Sequence, residues 1–217
     1  MQLVGLLDSP YVRRVAVSLQ LLGLPFEHRP ISVFRGYAQF AAINPVVKAP
    51  TLICDDGTVL MDSTLILDHA ESLADPARRL MPCEPGARAR ALRVLGLALA
   101  AAEKSVQIVY EHMARPSEKL HQPWVDRVTE QLQAACGALE SDLSRHPLDV
   151  SVGRIDQAGL TTAVVWHFIQ SYTPDAAPSR DHPLLEALSA AAEQLPQFRW
   201  APHGEAPCHP EATGQAS

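Results

Sequence analysis

The chain has 217 residues, and 18 Lys and Arg stand against 24 Asp and Glu, for a formal charge of −6. Hydrophobic residues make up 47% and charged residues 19%, the composition of a folded protein and not of a disordered one. Mild acidity argues against a nucleic-acid partner, and the longest apolar run, Val94 to Ala102, is too short to cross a bilayer.

Gln2–Leu7 is a compact apolar run that predicts a buried strand. Ser9-Pro10 then supplies an N-cap followed by Pro at the first helical position. The helix it opens runs through Val12, Val15, Ala16 and Leu19 to a stop at Gly23. A second strand, Phe26–Ile31, follows closely, and a β-α-β opening favours a right-handed parallel crossover.

A less regular segment around Tyr37–Ile43 leads to Asn44-Pro45 and a strand, Pro50–Cys54. Asp56-Gly57 is a hairpin turn signal, so Thr58–Met61 is expected to return antiparallel. Ser63 is expected to cap a helix through Leu65, Ile66, His69 and Leu73. The order is β-α-β-α-β-β-α, a small mixed sheet covered by helices. Pro76, Pro82 and Pro85 mark a linker over 76–85.

Beyond the linker the pattern is helical. Leu92, Leu95, Leu99, Ala102, Val106, Val109 and Met113 recur at alternating steps of three and four, one apolar stripe on a long helix. Trp124, Val128, Leu132, Ala135, Leu139 and Leu143 form a second stripe, a third helix is expected over Ile155–Tyr172, and a fourth near Pro183–Leu195. The domain expectation is 1–75, a linker over 76–85, an all-α bundle over 86–200, and a disordered tail over 201–217.

The four cysteines show no Cys-x-x-Cys and no zinc spacing, and no His-Glu-x-x-His frame, phosphate loop or Gly-x-Ser-x-Gly elbow occurs. No metal is expected. The first ten residues carry no Lys or Arg, so a secretory signal is not expected, and the thiols read as reduced in the cytoplasm.

Three places could carry chemistry. Ser9 lies where a strand's carboxyl end meets a helix N-terminus, a position favoured by ligands and anions. A Pro50 opening a strand can hold a cis bond, which would turn the amide and carbonyl of Ala49 outward to pair with an extended peptide. Lys48 beside them could hold a carboxylate. Asp62-Ser63 opens a helix directly after a strand, where a hydroxyl and free N–H groups suit a carboxylate. Each also has a plain structural reading as a cap or a proline loop.

Taken together, Ser9-Pro-Tyr-Val-Arg-Arg-Val15, Asn44-Pro45 with Lys48-Ala-Pro50-Thr-Leu, and Asp62-Ser63-Thr-Leu-Ile66 resemble the cytosolic glutathione transferase family, with the look of its bacterial, serine-using members. The resemblance implies an N-terminal thioredoxin-like domain followed by an all-helical domain. It implies that Ser9 hydrogen-bonds the glutathione sulfur, that Ala49 pairs with the tripeptide backbone, that Lys48 holds the glycyl carboxylate, and that Asp62 and Ser63 hold the γ-glutamyl end. The implied reaction is conjugation of glutathione, as co-substrate, to a small hydrophobic electrophile, a detoxification chemistry carried out by a homodimer. The electrophile pocket is expected between the halves, with Tyr110 and Met113 as candidates to line it. The competing expectation is a glutathione-transferase-like binding protein without catalysis.

Three positions depart from the family's pattern. Val47 stands where Gly precedes the lysine, and a β-branched residue avoids positive φ, which predicts a different loop path. Gly153 stands where a Ser or Thr caps the sixth helix, three residues before Asp156. Asp8 adjoins Ser9, and a carboxylate facing the sulfur would raise the thiol pKa.

Overall fold

The computed structural model describes residues 1–208, which divide into two units: Met1–Leu80 with the chain from Gln194 onward, and Met81–Glu193. The first unit is thioredoxin-like. Its strands are β1 (Gln2–Val4), β2 (Glu27–Arg29), β3 (Thr51–Ile53) and β4 (Val59–Met61), in the spatial order β2-β1-β3-β4. β1 and β2 are parallel, and the other two pairings are antiparallel. Its helices are α1 (Pro10–Leu22), α2 (Tyr37–Ala41) and α3 (Ser63–Leu73). The strands are shorter than the segments expected to form them. Gly5, at φ 139°, ends the regular part of β1, although its N–H still reaches the Arg29 carbonyl at 3.1 Å.

α1 forms where its ends dictate. Ser9 Oγ accepts from the Val12 N–H at 3.4 Å, Pro10 occupies the first turn, and Gly23 closes the helix in the left-handed conformation at φ 73°. Its interior is almost wholly buried, including Arg13 and Arg14. It packs against β1, α3 and, from the far end of the chain, α8 (Pro196–Trp200).

The chain past Trp200 corrects the expected tail. Arg13 Nε donates to the Ala201 carbonyl at 2.8 Å and its Nη2 to that of Phe198 at 3.5 Å, while the guanidinium lies 5.6 Å from the Phe198 ring. Arg35 pairs with Glu205, and the Cys208 N–H donates to His28 Nδ1 at 2.9 Å. Residues 201–208 are therefore fastened to the first unit by hydrogen bonds that composition does not reveal. The remainder of the expected tail, 209–217, lies outside the described residues.

The second unit is helical: α4 (Pro85–Met113), α5 (Gln122–Arg145), α6 (Gln157–Tyr172) and α7 (Pro183–Ala192). α6 is buried around nearly its whole circumference, and α4 packs against both α5 and α6. The α5 stripe is buried except for Trp124. On α4 the buried face is displaced from the leucine stripe. Ala91, Ala98, Ala101, Ala102 and Ser105 lie inside with Val94, Leu95 and Ile108, whereas Leu92 and Met113 are exposed. Small residues admit close neighbours on two sides, which a count of large apolar residues overlooks. Asp156 itself caps α6, accepting from the Gly159 N–H at 2.8 Å, and Gly153 sits at φ 76° in the turn before it. The carboxylate replaces the cap expected at Gly153. Among the described residues no helix is long and apolar enough to cross a membrane.

Candidate functional site

Strand register gathers three of the sequence motifs at one rim of the sheet. Val4 lies opposite Thr51, and Thr51 opposite Met61. One residue further at this end come Gly5, Pro50 and Asp62, followed or preceded directly by the β1–α1 loop, Ala49 and Ser63. A side chain at Gly5 would meet Val12 at 2.7 Å and the Ala49 methyl at 3.2 Å, so the Ala49 loop rests directly on the β1 terminus and α1. Val12 is also the residue whose N–H binds Ser9 Oγ.

The loop before β3 is built around Asn44. Its buried amide donates to Thr51 Oγ1 at 2.9 Å and accepts from the Val46 N–H at 3.0 Å, and the Thr51 hydroxyl donates to the Lys48 carbonyl at 2.7 Å. These bonds bracket residues 46–50. Val47 adopts φ 52°, and the Ala49–Pro50 bond is cis. The loop path expected to change at Val47 is thus kept in the left-handed region. The Val47 N–H bonds the Asn44 carbonyl at 2.9 Å, and the side chain packs on Val4, Ile31 and Phe40. Burial and hydrogen bonding outweigh a backbone cost of about 1–3 kcal/mol. The Lys48 side chain is exposed at this rim.

At the third motif the cap is Asp62 and not Ser63. Asp62 adopts φ 72° and accepts from the Thr64 N–H at 2.9 Å, which puts Ser63 in the first turn of α3. Ser63 is buried, and its Oγ accepts from Arg14 Nη1 at 3.1 Å. Burial pushes the Arg14 guanidinium down to about 10, with Asp62 and Tyr11 acting the other way.

Ser9 is half-buried at the head of α1, where the first N–H groups have no partner within the helix. Asp8 is half-buried beside it. Burial raises the Asp8 carboxyl above its ordinary value, against a hydrogen bond from the Ser9 backbone. Glu205 raises it further, and Arg35 lowers it. Tyr110 and Met113 both lie on α4 in the second unit, with 47% and 75% of their surfaces exposed. Among the described residues no group of three or more His, Cys, Asp and Glu side chains is placed to hold a metal ion.

The geometry thus joins a hydroxyl at a helix head, the cis Ala49–Pro50 loop and a helix N-terminus at Ser63. This is a rim suited to an extended, carboxylate-bearing ligand. Residues 3–78 match the glutathione S-transferase N-terminal domain. Ser9, Lys48, Ala49, Pro50, Asp62 and Ser63 all fall inside that domain, and Tyr110 and Met113 fall outside it. The chain is similar to an uncharacterized GST-like protein, YibF, of Escherichia coli K12: 27% identity over 185 residues, covering 84% of this chain and 89% of that one. A glutathione transferase family member from Pseudomonas fluorescens Pf-5, solved with bound S-(propanoic acid)-glutathione, shares 29% identity. It has a TM-score of 0.73 and covers 92% of this chain and 97% of that one. A glutathione S-transferase from Methylobacterium radiotolerans, in complex with glutathione sulfonate, shares 25% identity. Its TM-score is 0.82, and it covers 91% of this chain and 92% of that one. The chain thus matches a glutathione S-transferase N-terminal domain over residues 3–78 and is similar in sequence and fold, over most of its length, to these glutathione transferases.

Two residues of the rim had no assigned role from sequence. Asn44 was visible as an Asn-Pro pair, and its reach to Thr51 depends on the loop closing. Arg14 stands among the apolar positions of α1, and a charge there is the signal for a buried partner.

Proposed function

We propose that this chain is a glutathione transferase of the serine-using type, which binds glutathione along the rim and joins its sulfur to a small hydrophobic electrophile. The observation that supports the reading is the register of Val4 against Thr51 and of Thr51 against Met61, so that the segments bearing Ser9, Ala49 and Ser63 adjoin the sheet at the same end. In this reading Ala49 pairs with the tripeptide backbone, Lys48 holds the glycyl carboxylate, and Asp62 with Ser63 takes the γ-glutamyl end. The Ser9 hydroxyl donates to the sulfur. A free thiol has a pKa of about 8.5 and attacks only as thiolate. Each unit of depression requires about 1.4 kcal/mol of differential stabilisation. A hydrogen bond to a charged acceptor contributes about 1.5–3 kcal/mol, and the head of α1 adds to it. Together they account for one to two units.

The proposal includes a cytoplasmic homodimer without metal, in which the exposed Val59, Met61 and Leu65 of the first unit are covered by a second copy. Tyr110 and Met113 are assigned to the electrophile's surroundings.

One observation favours a second reading, a binding protein without turnover: the half-buried Asp8 carboxyl beside Ser9, which opposes a thiolate. Conjugation assays over a broad electrophile panel, run alongside calorimetric titration with glutathione and an S-alkyl glutathione, separate the two. Turnover supports the transferase. Tight binding of both ligands with no turnover selects the binding protein.

A further inference from the structure

Arg14 is buried to 2% exposure, and its Nη1 donates to two hydroxyls, Ser63 Oγ at 3.1 Å and Thr64 Oγ1 at 3.3 Å. Its Nε is buried without a hydrogen-bond partner. Among the described residues no carboxylate lies within 4.0 Å of the guanidinium, although Asp62 is near enough to act on it. A buried cation whose partners are hydroxyls is costly, because nothing at contact distance neutralises it. An anion seated at the head of α3 would complete the arrangement.

The hydrogen count sharpens this. A guanidinium only donates, so Ser63 and Thr64 must both accept from it. Each hydroxyl's own proton then points away from Arg14, as a donor toward whatever occupies the α3 N-terminus. We infer that Arg14 is a positioning residue for the γ-glutamyl end of the ligand: it occupies the acceptor side of the Ser63 and Thr64 hydroxyls, turns their protons outward, and makes the site selective for ligands carrying a free α-carboxylate there. This inference rests on the glutathione reading above and assigns that reading's selectivity to a residue to which it gives no role.

The test compares glutathione with its decarboxylated analogue, 4-aminobutyryl-cysteinyl-glycine, by calorimetric titration of the wild type, Arg14→Met, Arg14→Lys and Ser63→Ala. The wild type is expected to prefer glutathione by about tenfold or more, the effect of one charge-assisted hydrogen bond. Arg14→Met is expected to lose most of that preference while its affinity for the analogue stays within about threefold, since a fault of folding alone would weaken both ligands alike. Combining Arg14→Met with Ser63→Ala should cost no more preference than either alone, as for two groups acting through one contact. Full preference retained in Arg14→Met overturns the inference. Should that variant fail to fold, Arg14→Lys decides: reduced preference supports the role of the planar fork, and full preference overturns it. A wild type that binds both ligands equally defeats the Arg14 role alone. A folded wild type that binds no glutathione defeats the underlying reading and this inference with it.

Discussion

Asn44 and Thr51, seven residues apart, are joined by a 2.9 Å hydrogen bond from Nδ2 to Oγ1 that closes the loop carrying Lys48, Ala49 and Pro50. The same amide receives the Val46 N–H, so one buried side chain holds both flanks of Val47. Asn44→Ala is expected to cost about 2 kcal/mol, the loss of two hydrogen bonds with their partners left inside. The denaturant midpoint should fall and the affinity for glutathione should weaken with it. An unchanged midpoint would show that burial of Val47 alone holds the loop.

Arg13 plays the corresponding part at the chain's far end. Arg13→Met keeps the apolar stem and strands the carbonyls of Ala201 and Phe198, at an expected cost of about 3 kcal/mol. Hydrogen exchange should locate the loosening in residues 196–208. Uniform loss of protection across α1 instead would place Arg13's role in the helix.

His28 gives the molecule a pH dependence whose sign follows from its bonds. Its Nδ1 accepts from the Cys208 N–H at 2.9 Å, so the ring proton sits on Nε2 and donates to the Gly5 carbonyl at 2.7 Å. Protonation would set a second N–H against that of Cys208. Burial lowers the His28 pKa, partly offset by the Gly5 carbonyl. The unfolded chain therefore takes up the proton first. The contribution of His28 is complete above about pH 6.5 and is lost as pH falls from there through the folded-state value. Thermal unfolding between pH 7.5 and 5 should show this decline, and His28→Gln should flatten it. An equal decline in the variant would assign the effect to other groups.

The fold was legible wherever short-range chemistry sets it. Ser9-Pro10 and Gly23 mark α1, Asp56-Gly57 marks the hairpin, and alternating apolar residues mark α5. What escaped depends on distance in the chain. The bond from Cys208 to His28 spans 180 residues, and nothing around either one announces it. The α4 face was misplaced because alanines bury closely packed surface without looking strongly apolar. Of the rim, the motif residues could be read in advance. The Asp62 cap and the left-handed Val47 could not, because both adopt positive φ against their backbone preference, Val47 while packed on a cluster distant in the chain.

The central claim is that Ser9 stabilises a thiolate on a tripeptide lying along this rim. The direct measurement is the ultraviolet thiolate absorbance of bound glutathione as a function of pH, in the wild type and in Ser9→Ala. The account predicts a bound thiol pKa about one to two units below the free value of about 8.5, returning close to that value in the variant. The same depressed pKa in both proteins would contradict it.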